Sequence, residues 1–189
     1  MSKKIAILFP GVGYTCDRPL LYYSGRLAKQ HGYQTIPVSY SLPSADKNGK
    51  SATEKESGLK LSAKTALAQA ELLLSDISWK DYDEILFLSK SLGTVVSTAY
   101  AKKHGLSVKN VLFTPLKGTF QHAGGRCIAF HGTADPWAET ELITEKCIEK
   151  EIPLFLTPGA NHSLETGDVL KDLEEIRSVM ERVEEFIVS

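Results

Sequence analysis

Short, almost wholly apolar runs alternate along this chain with longer segments whose apolar positions recur at helical spacing. Ile5-Ala6-Ile7-Leu8-Phe9 is the first such run, and Pro10-Gly11-Val12-Gly13 ends it in a loop. Asp17 is placed to cap a helix with Pro19 in its first turn, where Leu20, Leu21, Ser24 and Leu27 share a face and Gly32 closes the segment. Gln34 to Tyr40 reads as a second strand. The stretch from Leu42 to Gly58 mixes Pro43, Asp46, Asn48, Gly49 and Ser51 with charges and reads as a mobile surface connection. Helical period returns from Leu59 to Ile77, with Ala63, Ala66, Leu67, Ala70, Leu73, Leu74 and Ile77 on one face.

Ile85-Leu86-Phe87-Leu88 has the unbroken apolar character of a central parallel strand covered on both faces. Leu92 to Lys103 predicts a helix with Gly105 as its C-terminal cap. Val111-Leu112-Phe113, Cys127-Ile128-Ala129-Phe130 and Leu154-Phe155-Leu156 predict three more strands. Thr140 to Glu149 is the helix between the last two, and Asp168 to Phe186 is the final helix, with Leu170, Leu173, Ile176, Val179, Val183 and Phe186 as its stripe. Strand and helix in strict alternation imply a doubly wound α/β domain: a mostly parallel sheet of about six strands, right-handed crossovers, and helices on both faces. No linker or repeat divides residues 1–189, which read as a single domain.

Composition narrows the function classes. Against 22 Lys and Arg stand 23 Asp and Glu, so the formal charge is -1 and no basic footprint for nucleic acid is present. Hydrophobic residues at 42% and charged residues at 24% match a globular chain rather than a disordered one. Cys16, Cys127 and Cys147 are too few and too scattered for a disulfide framework or a structural zinc site. No apolar run approaches the roughly 20 residues that a bilayer requires. The Ile5–Phe9 run is also too short for a secretory core. A cytoplasmic protein in a reducing compartment is the expectation.

In sheets of this kind ligands bind where the strand ends pass into loops and helices. Four polar clusters sit there: Pro10-Gly11-Val12-Gly13-Tyr14, Ser89-Lys90-Ser91-Leu92-Gly93, His131-Gly132-Thr133-Ala134-Asp135 and Gly159-Ala160-Asn161-His162. The second has a small residue two before and two after Ser91, between a buried strand and a helix, which is the pattern of a nucleophile elbow. Its bland alternative is a serine that merely caps the helix. A serine nucleophile needs a base, and the base needs a carboxylate to hold it. Asp135 and His162 follow later strands in the order Ser, Asp, His.

With these three motifs in register from Lys4 to Phe186, the chain resembles the α/β-hydrolase superfamily. The resemblance implies Ser91 as nucleophile, His162 as general base and then acid, and Asp135 as its orienter. Glu165 and Glu139 are the rival carboxylates. It also implies an oxyanion hole from the backbone N–H of Leu92 and one from the Gly11–Gly13 loop, mapped onto Val12 although Pro10 stands where relatives often carry His. Gly11, Gly13, Tyr14 and Lys90 are the expected substrate-binding positions, and Lys90 beside the nucleophile is either a selector for anionic substrates or a structural charge. His131, His104, His31 and His122 are read as ordinary histidines. The chain starts at the strand that precedes the oxyanion loop, so the two leading strands of larger relatives are expected to be absent. The dozen or so residues between Phe113 and Cys127 leave no room for a helical cap.

The glycine loop also invites a dinucleotide reading. Cys16 occupies the third glycine position, and Tyr40-Ser41 stand where a ribose-binding acid belongs, so NAD is not expected. No metal and no cofactor is implied. The expectation is a small, capless serine esterase or thioesterase acting on a small-molecule ester. A non-catalytic binding protein and a cofactor-free lyase or acyltransferase on the same fold are the alternatives. Whether the chain forms a homodimer is left open by the sequence.

Overall fold

In the computed structural model, which describes residues 2–42 and 52–189, six strands form one parallel sheet. They are β1 (Lys4–Phe9), β2 (Tyr33–Pro37), β3 (Glu84–Lys90), β4 (Lys109–Phe113), β5 (Cys127–Gly132) and β6 (Leu154–Thr157). The helices are α1 (Pro19–Gln30), α2 (Ala52–Leu73), α3 (Leu92–Lys103), α4 (Thr140–Glu149) and α5 (Val169–Val188). Strand order is β2-β1-β3-β4-β5-β6. The chain therefore reverses direction across the sheet between β1 and β3, and a crevice opens at their carboxyl ends.

The period-2 alternation of the strands sorts the core into two layers. Ala6, Leu8, Leu86, Leu88, Val111, Phe113 and Phe130 pack on one face with Leu20, Leu21 and Ala28 of α1 and Val179, Val183 and Ile187 of α5. Ile5, Ile7, Phe9 and Phe87 point the other way, against Ala66 and Ala70 of α2 and Val96 and Tyr100 of α3. Leu112 and Ala129 continue that second face beneath Ile143 and Cys147 of α4. Among the described residues no helix is long and apolar enough to cross a membrane.

Several readings differ from the structure: β2 ends at Pro37 rather than Tyr40, and α2 ends at Leu73, itself exposed, rather than at Ile77. The connection expected from Leu42 to Gly58 is helical from Ala52 onward, because Ala52, Glu54, Lys55 and Glu56 are strong helix formers despite their polarity; residues 43–51 of that connection lie outside the described residues. Asp17 does not cap α1. Arg18 occupies the cap position without a side-chain bond, and the Tyr14 phenol oxygen accepts from the Leu20 N–H at 3.1 Å instead. In α5, Leu170 and Leu173 are exposed and the buried stripe begins at Val179. Twenty residues of helix span about 30 Å, longer than these short strands, so one end overhangs the sheet. Asp168 does cap this helix, accepting from the Leu170 and Lys171 amides.

Glycines mark where backbones meet. A Cβ on Gly93 would overlap the Phe9 carbonyl oxygen and stand 2.6 Å from that of Pro10. Gly58, in α2, has open space around its Cα. Gly93→Ala should therefore destabilise the fold by roughly 1–3 kcal/mol or more, since backbone cannot yield as a side chain can. Gly58→Ala should stabilise it by about 0.5–1 kcal/mol through helix entropy alone. Urea midpoints of the two variants provide the check, and opposite signs are expected.

Candidate active site

The elbow follows directly from β3. Ser91 adopts φ 54° and ψ -120°, a conformation that a side-chain-bearing residue rarely holds. Its N–H donates to Phe113 O at 2.9 Å, which ties the turn to the end of β4. The hydroxyl makes no capping bond to α3. It points instead at His162, with 2.7 Å between Ser91 Oγ and Nε2. The Nδ1 of the same ring lies 2.6 Å from Asp135 Oδ2. The other oxygen, Asp135 Oδ1, accepts the Trp137 N–H at 2.8 Å. Ser91, His162 and Asp135 thus form one continuous hydrogen-bonded array, drawn from the ends of β3, β6 and β5.

Two loops are stitched together to hold the histidine. Ala134 N–H donates to Ala160 O at 2.9 Å, Thr133 N–H to Thr157 O at 3.1 Å, and Gly159 N–H to Thr133 Oγ1 at 2.8 Å. Gly132 permits the approach, since a Cβ there would overlap Ala160 O. Asn161 Oδ1 then accepts from Ser163 N–H at 2.7 Å and Glu165 N–H at 3.2 Å, which turns the chain sharply after His162. Glu139 and Glu165, the rival carboxylates, are exposed, and it is Asp135 that meets the ring.

Ser89, the other serine of the motif, is fully buried and occupied. Its hydroxyl donates to Val111 O at 2.9 Å and contacts Asn110 Oδ1 at 3.1 Å. Opposite the elbow, Gly11 comes so close that a Cβ on it would stand 3.0 Å from Ser91 Cβ. Gly11 and Tyr14 exchange both backbone hydrogen bonds, at 3.1 and 3.4 Å, and Gly13 sits between them at φ 67°. That pairing leaves the Val12 N–H, like the Leu92 N–H at the first turn of α3, without a hydrogen-bond partner among the described residues. Tyr14 is buried with its hydroxyl committed to α1.

Lys90 is only 3% exposed. Its ammonium lies 4.9 Å over the Tyr14 ring and has no ion pair among the described residues. Burial pushes this lysine down to about 7, against the pull of Asp135 and Glu165. His162 is likewise held below its ordinary value, chiefly by burial and further by the Lys90 charge, while Asp135 opposes the shift. The ring is therefore neutral at neutral pH, with one nitrogen free to accept a proton.

His131, read as an ordinary histidine, is not a solvated one. It is fully buried at the end of β5, its Nδ1 is 3.7 Å from Asp135 Oδ2 without a hydrogen bond, and its Nε2 faces Thr140 Oγ1 at 3.3 Å. Burial lowers its affinity for protons too. The spacing of four residues between His131 and Asp135, at a strand end, was the sequence signal for this contact. His31 pairs with Glu184 at 2.8 Å and His104 stacks on Tyr100, far from the array. A cavity of about 540 Å³ lies beside the Gly11–Tyr14 loop, lined by residues of Pro10–Asp17 and Pro37–Leu42. Neither Ser91 nor His162 lines it. Among the described residues no group of His, Cys, Asp and Glu is arranged to hold a metal ion.

No protein-family profile and no curated protein matches this sequence. Solved structures do match. Est1E from Butyrivibrio proteoclasticus, with ferulic acid bound, is similar at a TM-score of 0.68 and 12% identity, over 99% of this chain and 89% of that one. A lidless α/β serine hydrolase from Xanthomonas campestris is similar at 0.61 and 13%, over 97% and 82%. An α/β serine hydrolase homologue from Coxiella burnetii is similar at 0.58 and 16%, over 96% and 85%. The chain has the α/β-hydrolase fold.

The electrostatics yield a test that needs no substrate. His162 should titrate below 6.5, the ordinary histidine value, when followed by NMR of its ring. The Lys90 charge, where present, repels the imidazolium. Lys90→Met removes the repulsion, so the His162 titration should move to higher pH. A midpoint unchanged or lowered in the variant would show that the Lys90 charge is not felt at the ring.

Proposed function

We propose that this protein is a serine hydrolase that cleaves a carboxylic ester or thioester of a small substrate through an acyl-enzyme on Ser91. One observation carries the reading: Ser91 Oγ lies 2.7 Å from a histidine nitrogen whose ring is held at 2.6 Å by a buried carboxylate. The strained backbone at Ser91 supports it, because strain of this kind persists where a side chain must be presented.

The steps follow from the geometry. Ser91 Oγ attacks the substrate carbonyl carbon while His162 Nε2 takes the hydroxyl proton. The imidazolium formed is stabilised by Asp135 at Nδ1. The carbonyl oxygen becomes an oxyanion, received by the Leu92 and Val12 N–H groups. Collapse expels the alcohol or thiol, which leaves with the proton from His162. Water then repeats the sequence on the acyl-enzyme, releases the acid, and restores Ser91. Lys90, with its charge next to the nucleophile, adds positive potential where the oxyanion develops. The stretch between β4 and β5 holds only a short 3-10 turn, Lys117–Gln121, packed on α3 through Thr119 and Thr94, so the substrate approaches an open site. Short, water-soluble esters fit such a site better than long lipid chains. A cytoplasmic setting and action without a cofactor belong to the same proposal.

A fluorophosphonate probe should label the wild-type protein at Ser91, and Ser91→Ala should abolish labelling and lower kcat by several orders of magnitude. Asp135→Asn should keep the fold and lose roughly 10³–10⁴ in kcat, because the wrong tautomer would face the serine. Labelling that survives Ser91→Ala would overturn the assignment. A folded wild-type protein that takes up no probe at all would instead point to a non-catalytic binding protein.

A further inference from the structure

Trp137 lies two residues beyond Asp135 on the loop after β5, and its backbone N–H is bound to the carboxylate that holds His162. Its neighbour Ala138 is buried in the core beneath α4. The Trp137 indole joins none of the three core clusters and is 53% exposed. Its one ring neighbour among the described residues is His162, with centroids 6.0 Å apart and planes tilted by 41°. A lone exposed apolar side chain needs no explanation by itself. This one is different, because a large, rigid, planar surface is anchored at the rim of the imidazole. Val12, on the Gly11–Tyr14 loop, is also half-exposed.

Resting on the serine-hydrolase reading above, we infer that the Trp137 indole is a specificity surface that stacks on a planar aromatic leaving group of the substrate. The leaving oxygen takes its proton from His162 Nε2, so a ring bonded to that oxygen is brought beside the imidazole and within reach of the indole. Offset or tilted ring pairs gain attraction beyond their buried area. The substrate class is then aryl or benzyl esters, selected through the alcohol rather than the acyl part.

Two reagents separate this role from the chemistry of Ser91. Diethyl fluorophosphate and diethyl p-nitrophenyl phosphate both form an Oγ–phosphorus bond at Ser91. They leave the same diethylphosphoryl adduct, expelling fluoride or p-nitrophenolate, and the serine proton departs by way of His162. Only the second brings an aromatic ring. In Trp137→Ala, which retains the backbone N–H to Asp135, the rate of inactivation by the aryl reagent should fall about 3–10-fold. The rate with the fluoride should stay within about twofold. Trp137→Phe should recover most of the aryl rate. Equal loss with both reagents would overturn the inference, showing that the indole only shields the Asp135–His162 bond from water. Unchanged rates with both would overturn it as well. Failure of both reagents to label the wild-type protein would sink the nucleophile reading beneath it.

Discussion

The whole site depends on how closely the first turn of α3 can approach the end of β1. At Gly93 the helix backbone rests directly against the Phe9 and Pro10 carbonyl oxygens, in a space where no Cβ fits. This contact puts the Gly11–Tyr14 loop over the elbow and brings Gly11 against Ser91 Cβ. It also forces a sharp turn between a strand and a helix that run on different paths, and the backbone at Ser91 absorbs that turn with a positive φ. A hydroxyl held on such a turn cannot bend back to cap its own helix, so it is presented outward. The strain is offset by the packing of β3 on both faces, where Leu86, Phe87 and Leu88 are completely buried.

A second close approach places His162. The loops after β5 and β6 come from adjacent parallel strands, and Gly132 lets their backbones meet. Three hydrogen bonds between them make the Asp135 and His162 loops one unit, so the separation of carboxylate and ring is a property of the backbone rather than of flexible side chains. Burial then does the electrostatic work. It lowers the proton affinity of both His162 and His131, and it does the same to Lys90. A neutral imidazole beside a partly charged lysine is an environment in which developing negative charge is favoured more strongly than it would be in water.

Much of this was legible in the sequence because it depends on residue type at fixed spacing. The small residues around Ser91, the Ser, Asp, His order, and the apolar runs that became β3, β4 and β5 are patterns that the fold cannot relax. What escaped reading depends on contacts between distant segments. The choice of Tyr14 over Asp17 at the start of α1 is settled by a phenol folding back from the preceding loop. The helical start of α2 at Ala52 comes from propensity in a polar stretch with no apolar period to announce it. The exposure of Leu170 and Leu173 follows from the length of α5 relative to the sheet, which periodicity does not encode. Trp137 comes beside the array because its N–H meets the Asp135 carboxylate, and no spacing rule gives that.

If the protein acts as proposed, the short β4–β5 segment bears on its selectivity. In a covered site, shape is set by the inserted domain, and water is excluded before chemistry begins. Here the segment after β4 contributes one 3-10 turn bound to α3 through Thr94 and Thr119, and it lies over the helix rather than over Ser91. On the proposed reading, selection would fall to side chains on the strand-end segments: Val12, half-exposed on one, Trp137, exposed on another, and Lys90, buried next to Ser91 in the chain. Lys90 is joined to Ser91 along the chain, and Trp137 is held to Asp135 by its backbone N–H. On that reading rigid placement would substitute for enclosure, because a group fixed relative to Ser91 and His162 would act on a transition state without having to close around a substrate.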